Sequence, residues 1–266
     1  MAASKPRAQA QAPGQAPAPA QVQAPVQAQP EAATSPSQAD MHQHRDVSGG
    51  WLRPAVFGAM DGLVTNVSLI AGVGGGGGSH QFIVLTGLAG LAAGAFSMAT
   101  GEFVSVSSQN ELIGAEVRKE AHELKHNPES EQEELAETFR ARGVEPKLAA
   151  EVARQLSAQP DRGLGLHVRE ELGVDPEDLP SPYTAAAASL VTFAVGALIP
   201  LIPYLAGLNS LPLALGLAAL AAFIGGGLVA RLTDRPFFRG AFRQLILGAV
   251  AAGLTYLIGH AVGTHI

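Results

Sequence analysis

The chain contains no cysteine. That excludes disulfides, a thiolate zinc site, an iron–sulfur cluster and a cysteine nucleophile, and it leaves any metal to oxygen, imidazole or thioether ligands. Charge is scarce as well: 15% of the 266 residues are charged, against about 25% in ordinary soluble domains. With 47% hydrophobic residues, the apolar excess argues against a plain soluble enzyme. The charges present are unevenly placed. Seventeen of the 23 acidic side chains and nine of the 17 basic ones fall within residues 110–180, so a single acidic segment interrupts nearly charge-free flanks. There is no basic patch for a phosphate backbone. Nucleic acid is therefore excluded as a partner, and the acidic segment suits cations.

Residues 1–44 are almost entirely Ala, Gln, Pro and Ser; such a tail cannot bury a core and is expected to stay disordered. It lacks the apolar stretch of a secretory signal, and its prolines disfavour a transit-peptide helix, so the membrane segments are expected to direct insertion. Four windows, 82–101, 185–208, 211–230 and 244–263, carry no Asp, Glu, Lys or Arg and reach the about 20 residues that a spanning helix needs. A fifth, 51–73, holds Asp61, Thr65, Asn66 and Ser68 and is counted as a span on topological grounds. Loops 74–81 and 206–212 and everything after Arg243 lack Lys and Arg, whereas 109–182 and the turn with Arg231, Arg235, Arg239 and Arg243 are rich in them. Five helices, N-terminus inside and C-terminus outside, satisfy the positive-inside rule.

The predicted fold is an all-α polytopic membrane protein with five transmembrane helices. After the tail, transmembrane helices 1 and 2 occupy 45–108, a cytoplasmic helical metal-binding insert 109–182, and transmembrane helices 3 to 5 residues 183–266. Within the insert the sequence predicts a helix over 111–126 that continues the second span. Asn127 as N-cap and Pro128 at the first helical position open a second, to about residue 142, stopped by Gly143. A third covers 146–158, and a fourth 164–172 ends at Gly173.

Glu116, Glu120 and Glu123 follow i, i+4, i+7 spacing on one helix face, and Glu131 and Glu134 share a face of the next. If those faces meet, like-charge repulsion calls for a divalent cation between them; if they do not, they are solvated helix surfaces. Glu123-x-x-His126 matches half of a di-iron motif, but the second copy that a ferritin-type site requires is not visible. Asp61 falls near the middle of a span, where a carboxylate costs a few kcal/mol and points to ion or proton movement, the alternative being a capping or pairing role. Thr65 and Asn66 extend a polar stripe suited to a hydrated path, or serve interhelical hydrogen bonds. Met98, four residues before Glu102, is either packing or a thioether that with the carboxylate favours a transition metal.

Four segments together, DGLVTNVSLIAG, AAGAFSMATGEFVSVSSQNEL, the insert's E-x-x-E…E-x-x-E with REELG, and the final TYLIG, resemble the vacuolar iron transporter family. The resemblance runs from about Trp51 to the C-terminus. It implies a five-span homodimer that exchanges divalent metal for protons along a path between the two first helices, with a helical domain that collects metal. Asp61 and Met98 then match the family's translocation ligands, with Glu102 beside them, and Glu120, Glu123, Glu131, Glu134 and Glu171 match its metal-binding glutamates. Where members with this domain often have Met-Met before the REEL segment, this chain has His167 and Val168; His167 retains a ligating imidazole, while Val168 has no donor. His42, His44, His122 and His126 are further candidates on the same side. The glycine run 74–78 lacks the Lys-Ser/Thr of a phosphate loop and reads as an outer turn.

The expected function is export of divalent iron, with manganese as a second cargo, from the cytoplasm by proton exchange. No prosthetic group and no enzymatic activity are expected, the bound Fe2+ or Mn2+ being substrate. The alternative is a membrane-anchored metal sensor, or an iron-binding or iron-oxidising protein without transport. Arginine outnumbers lysine 13 to 4, which together with abundant Ala and Gly suggests a GC-rich bacterial genome and a bacterial plasma membrane.

Overall fold

A computed structural model describes residues 50–158 and 160–265, without the side chains of 160–162. The expected tail, with His42 and His44, lies outside the described residues. All regular structure among the described residues is helical. The elements are α1 (Leu52–Gly75), α2 (His80–His126), α3 (Pro128–Ala141), α4 (Pro146–Ser157), α5 (Pro160–Glu171), α6 (Pro182–Leu198), α7 (Ile202–Leu205), α8 (Leu211–Leu232) and α9 (Phe237–Gly263). A 3-10 turn, Ile199–Leu201, joins α6 to α7, because Pro200 and Pro203 each lack the N–H that an unbroken helix would use. Counting α6 and α7 as one unit, Pro182–Leu205, five helices are long and apolar enough to cross a membrane.

Small residues line the tightest contacts between these helices. The buried positions of α8 are Ala214, Ala218, Ala222, Gly226, Gly227 and Ala230, while Leu220, Ile224 and Leu228 point outward and are exposed. Lipid tails are as apolar as leucine, so burying leucine between helices gains little in a membrane, and close backbone approach gains more. The approach is tightest where α1 crosses its neighbours. A Cβ on Gly62 would lie 2.1 Å from the Phe193 carbonyl oxygen of α6, and one on Gly259 of α9 only 1.8 Å from that of Gly72.

The second span is far longer than a bilayer crossing requires. α2 runs for 47 residues, about 70 Å at the α-helical rise, into the insert that α3 to α5 complete. Proline opens each of these three helices, although α5 starts four residues before the expected 164. Leu135, Ala136 and Ala153 form the insert's small core, with Phe139, Leu156 and Leu166 against it. Asn127 departs from its expected capping role. Its amide donates to Glu123 Oε2 at 2.6 Å, and α3 has no side-chain N-cap bond. Asn110 Nδ2 donates to the Pro180 carbonyl at 3.0 Å, fastening the returning chain to α2.

Candidate metal centre

Three helices bring acidic side chains to one place. Glu120 from α2, Glu131 from the first turn of α3, and His167 and Glu171 one turn apart on α5 each offer a ligand atom, all within 4.8 Å of one another. Ligands on opposite sides of an ion held at about 2.1 Å are about 4.2 Å apart, so small rotamer shifts close the set. His167 is fully buried. Its Nδ1 is hydrogen-bonded with Glu171 Oε1 at 3.3 Å and lies equally far from Glu120 Oε1. That second oxygen is off the donor direction and has no hydrogen-bond partner among the described residues, nor do Glu131 Oε2 and His167 Nε2.

The electrostatics match the crowding. Burial pushes the Glu120 carboxyl above its ordinary range, the Glu171 charge pushes it further, and His167 opposes. Glu131 is raised by burial and by the charges of Glu120 and Glu134; Glu171 is raised by burial and by Glu134 and Glu131. A carboxylate set that resists ionisation without a counter-charge is one that a divalent cation relieves. Three oxygens and one imidazole nitrogen suit a first-row divalent ion, the oxygens favouring harder manganese and the nitrogen admitting iron.

The remaining sequence candidates fall into distinct places. Glu134 is exposed beside the cluster and acts on it through its charge. Glu116 lies one turn back on α2, 3.8 Å from Lys119. Glu123 is held by Asn127. Val168 is fully buried. In the spanning helices, Asp61 and Thr65 share a half-buried face of α1, with Thr65 Oγ1 donating to Asp61 Oδ1 at 3.4 Å. Asn66 does not extend that stripe. It is fully buried on another face, and its amide donates to the Ala197 carbonyl at 2.5 Å, where Pro200 lacks the N–H that a 3-10 turn would return to that oxygen. Met98 packs against Ala95, Phe193 and Ala197. One turn on, Glu102 is buried, with Oε2 unpartnered among the described residues.

Sequence reading alone did not find Tyr204, buried with an unpartnered hydroxyl and its ring 5.8 Å from that of His80. No spacing pattern links those two positions.

The chain is 37% identical over 234 residues to a protein named vacuolar iron transporter from Acanthamoeba castellanii, covering 83% of this chain and 82% of the relative. It is 29% identical over 230 residues to vacuolar iron transporter 1 of Oryza sativa subsp. japonica, covering 84% and 91%. With vacuolar iron transporter homolog 3 of Arabidopsis thaliana it shares 34% over 221 residues, 81% and 84%. A family model described as the VIT family matches residues 52–260. The five spanning helices and this match make the chain a multi-pass membrane protein that belongs to the VIT family.

Proposed function

We propose that this protein transports divalent iron, with manganese as a second cargo, out of the cytoplasm in exchange for protons. The observation that carries the reading is the convergence of Glu120, Glu131, His167 and Glu171, in a chain whose relatives are named iron transporters. The insert and the α8–α9 turn, with Arg231, Arg235, Arg239 and Arg243, belong on the cytoplasmic side by the positive-inside rule. The membrane is taken to be a bacterial plasma membrane on composition, the relatives being named for the vacuole.

The cluster raises the local metal concentration at the inner mouth. Metal then passes by Glu102 and Met98 to Asp61 and Thr65. The half-buried Asp61–Thr65 face of α1 meets its copy across a homodimer axis, so that two carboxylates line one path. Asn66 holds α1 against α6 and thereby fixes which way that face points. Because a proton and a metal ion compete for the same carboxylate lone pairs, protonation from the acidic side releases the ion.

The test is Fe2+ and Mn2+ uptake into proteoliposomes with and without an inside-acid gradient, for the intact protein and Asp61→Ala. Gradient-stimulated uptake that disappears in the variant supports the reading. Equal uptake by both proteins overturns the pathway.

A further inference from the structure

We infer that the tip of α2 carries a second metal site, separate from the acidic cluster, formed by His122 and His126. Residues 122–126 read His-Glu-Leu-Lys-His, two imidazoles at i, i+4 with glutamate following the first, the spacing by which one helix face presents two nitrogens to a zinc-type ion. The structure adds two facts. The two rings lie together, stacked with centroids 4.0 Å apart; imidazole donates in its ring plane, so a shared ion requires the exposed His122 ring to swing out of the stack. In addition, His126 Nδ1 lies 2.8 Å from the His122 carbonyl oxygen. An oxygen of that kind only accepts, so Nδ1 carries the hydrogen and Nε2 is the nitrogen left to bind a metal. A backbone carbonyl bonded to the far ring nitrogen is the usual way in which a ligating histidine is oriented.

The pair is distinct from the cluster. At 3.6 residues per turn, His122 and His126 are rotated about 200° and 240° from Glu120 around the axis of α2, and both are exposed. The glutamate of the motif does not serve as a base here. Glu123 accepts from Asn127 Nδ2, and the open surface favours binding over hydrolysis. Two imidazoles, with water completing the shell, select zinc-like or copper(II)-like ions over the harder manganese. This inference stands on the histidine pair and does not require transport.

The experiment is Zn2+ titration of the full chain in detergent by calorimetry, on a Glu120→Gln/Glu131→Gln background that weakens the acidic cluster. One zinc equivalent is expected to remain. His122→Ala or His126→Ala alone is expected to weaken it at least about tenfold, the double variant no further, with helicity unchanged by circular dichroism. Mn2+ titrations are expected not to differ between the variants. Zinc affinity that is unchanged in the double variant overturns the site, as does loss in two independent halves, which would mean that the rings do not share an ion.

Discussion

His167 Nδ1 stands 3.3 Å from Glu120 Oε1, so one fully buried imidazole links the last insert helix to the long helix that leaves the membrane. Its removal acts on both packing and ligation. His167→Ala leaves a cavity and two carboxylates without their opposing nitrogen, and is expected to destabilise the insert by about 2 to 4 kcal/mol. His167→Met fills most of that space with a softer donor. Isothermal titration is expected to show Mn2+ affinity falling more than Fe2+ affinity in the methionine variant; an equal loss for both ions would count against ligation by His167.

Acidification is expected to stabilise the insert when it is free of metal. Glu120, Glu131 and Glu171 have folded-state values raised above the ordinary 4.5. The stability linked to them is therefore fully present below about pH 4.5 and lost as the pH rises through the raised values. Metal affinity runs the other way, because protons compete for the same oxygens. Thermal unfolding with chelator and with Mn2+ at pH 5.5 and 7.5 checks both signs: the chelated protein melts higher at pH 5.5, and the increment from Mn2+ is larger at pH 7.5.

Asp61→Asn is expected to abolish transport without lowering the melting temperature. The carboxylate's hydrogen bond to Thr65 on its own helix is long, 3.4 Å, and taking a charge out of the membrane interior relieves a cost of a few kcal/mol. Size-exclusion chromatography and a detergent melt separate loss of function from loss of fold.

Asn66→Ala removes a buried bond and orphans the Ala197 carbonyl, for an expected cost of about 1 to 3 kcal/mol. Gly62→Leu meets the α6 backbone itself and should cost at least as much, since the crossing has no flexible neighbour to yield. A detergent melt of both variants tests the order.

The five spans were legible because charge-free windows of sufficient length are hard to place anywhere but in lipid, and the starts of α3 and α4 because Pro128 and Pro146 mark them, whereas the expected start of α5 at 164 passed over Pro160. The cluster was only half legible. Helical spacing puts Glu116, Glu120 and Glu123 on one face, yet only Glu120 stands level with His167. One turn in either direction is decided by the tertiary meeting of α2, α3 and α5, and Asn127 draws Glu123 aside. The sequence leaves Asn66 two readings, a polar stripe or an interhelical hydrogen bond, and the structure shows the second: Asn66 neighbours Thr65 in sequence, but one residue is about 100° of helix rotation, and that turn carries it from the stripe into the α6 contact.

α2 has no break between Glu102 and Glu120. Those 18 positions make about 27 Å of continuous helix, with Asn110 pinned to Pro180 between them. The helix therefore works as a stiff shaft. On the proposed function, drawing α3 and α5 inward around a captured ion is expected to apply torque at one end and to be felt at the other, where Met98 packs against Phe193 and Ala197 of α6 and Glu102 is buried one turn on. If the insert loads metal as proposed, loading and the setting of the inner mouth are expected to form one mechanical coordinate, which a flexible joint inserted near residue 112 would split in two.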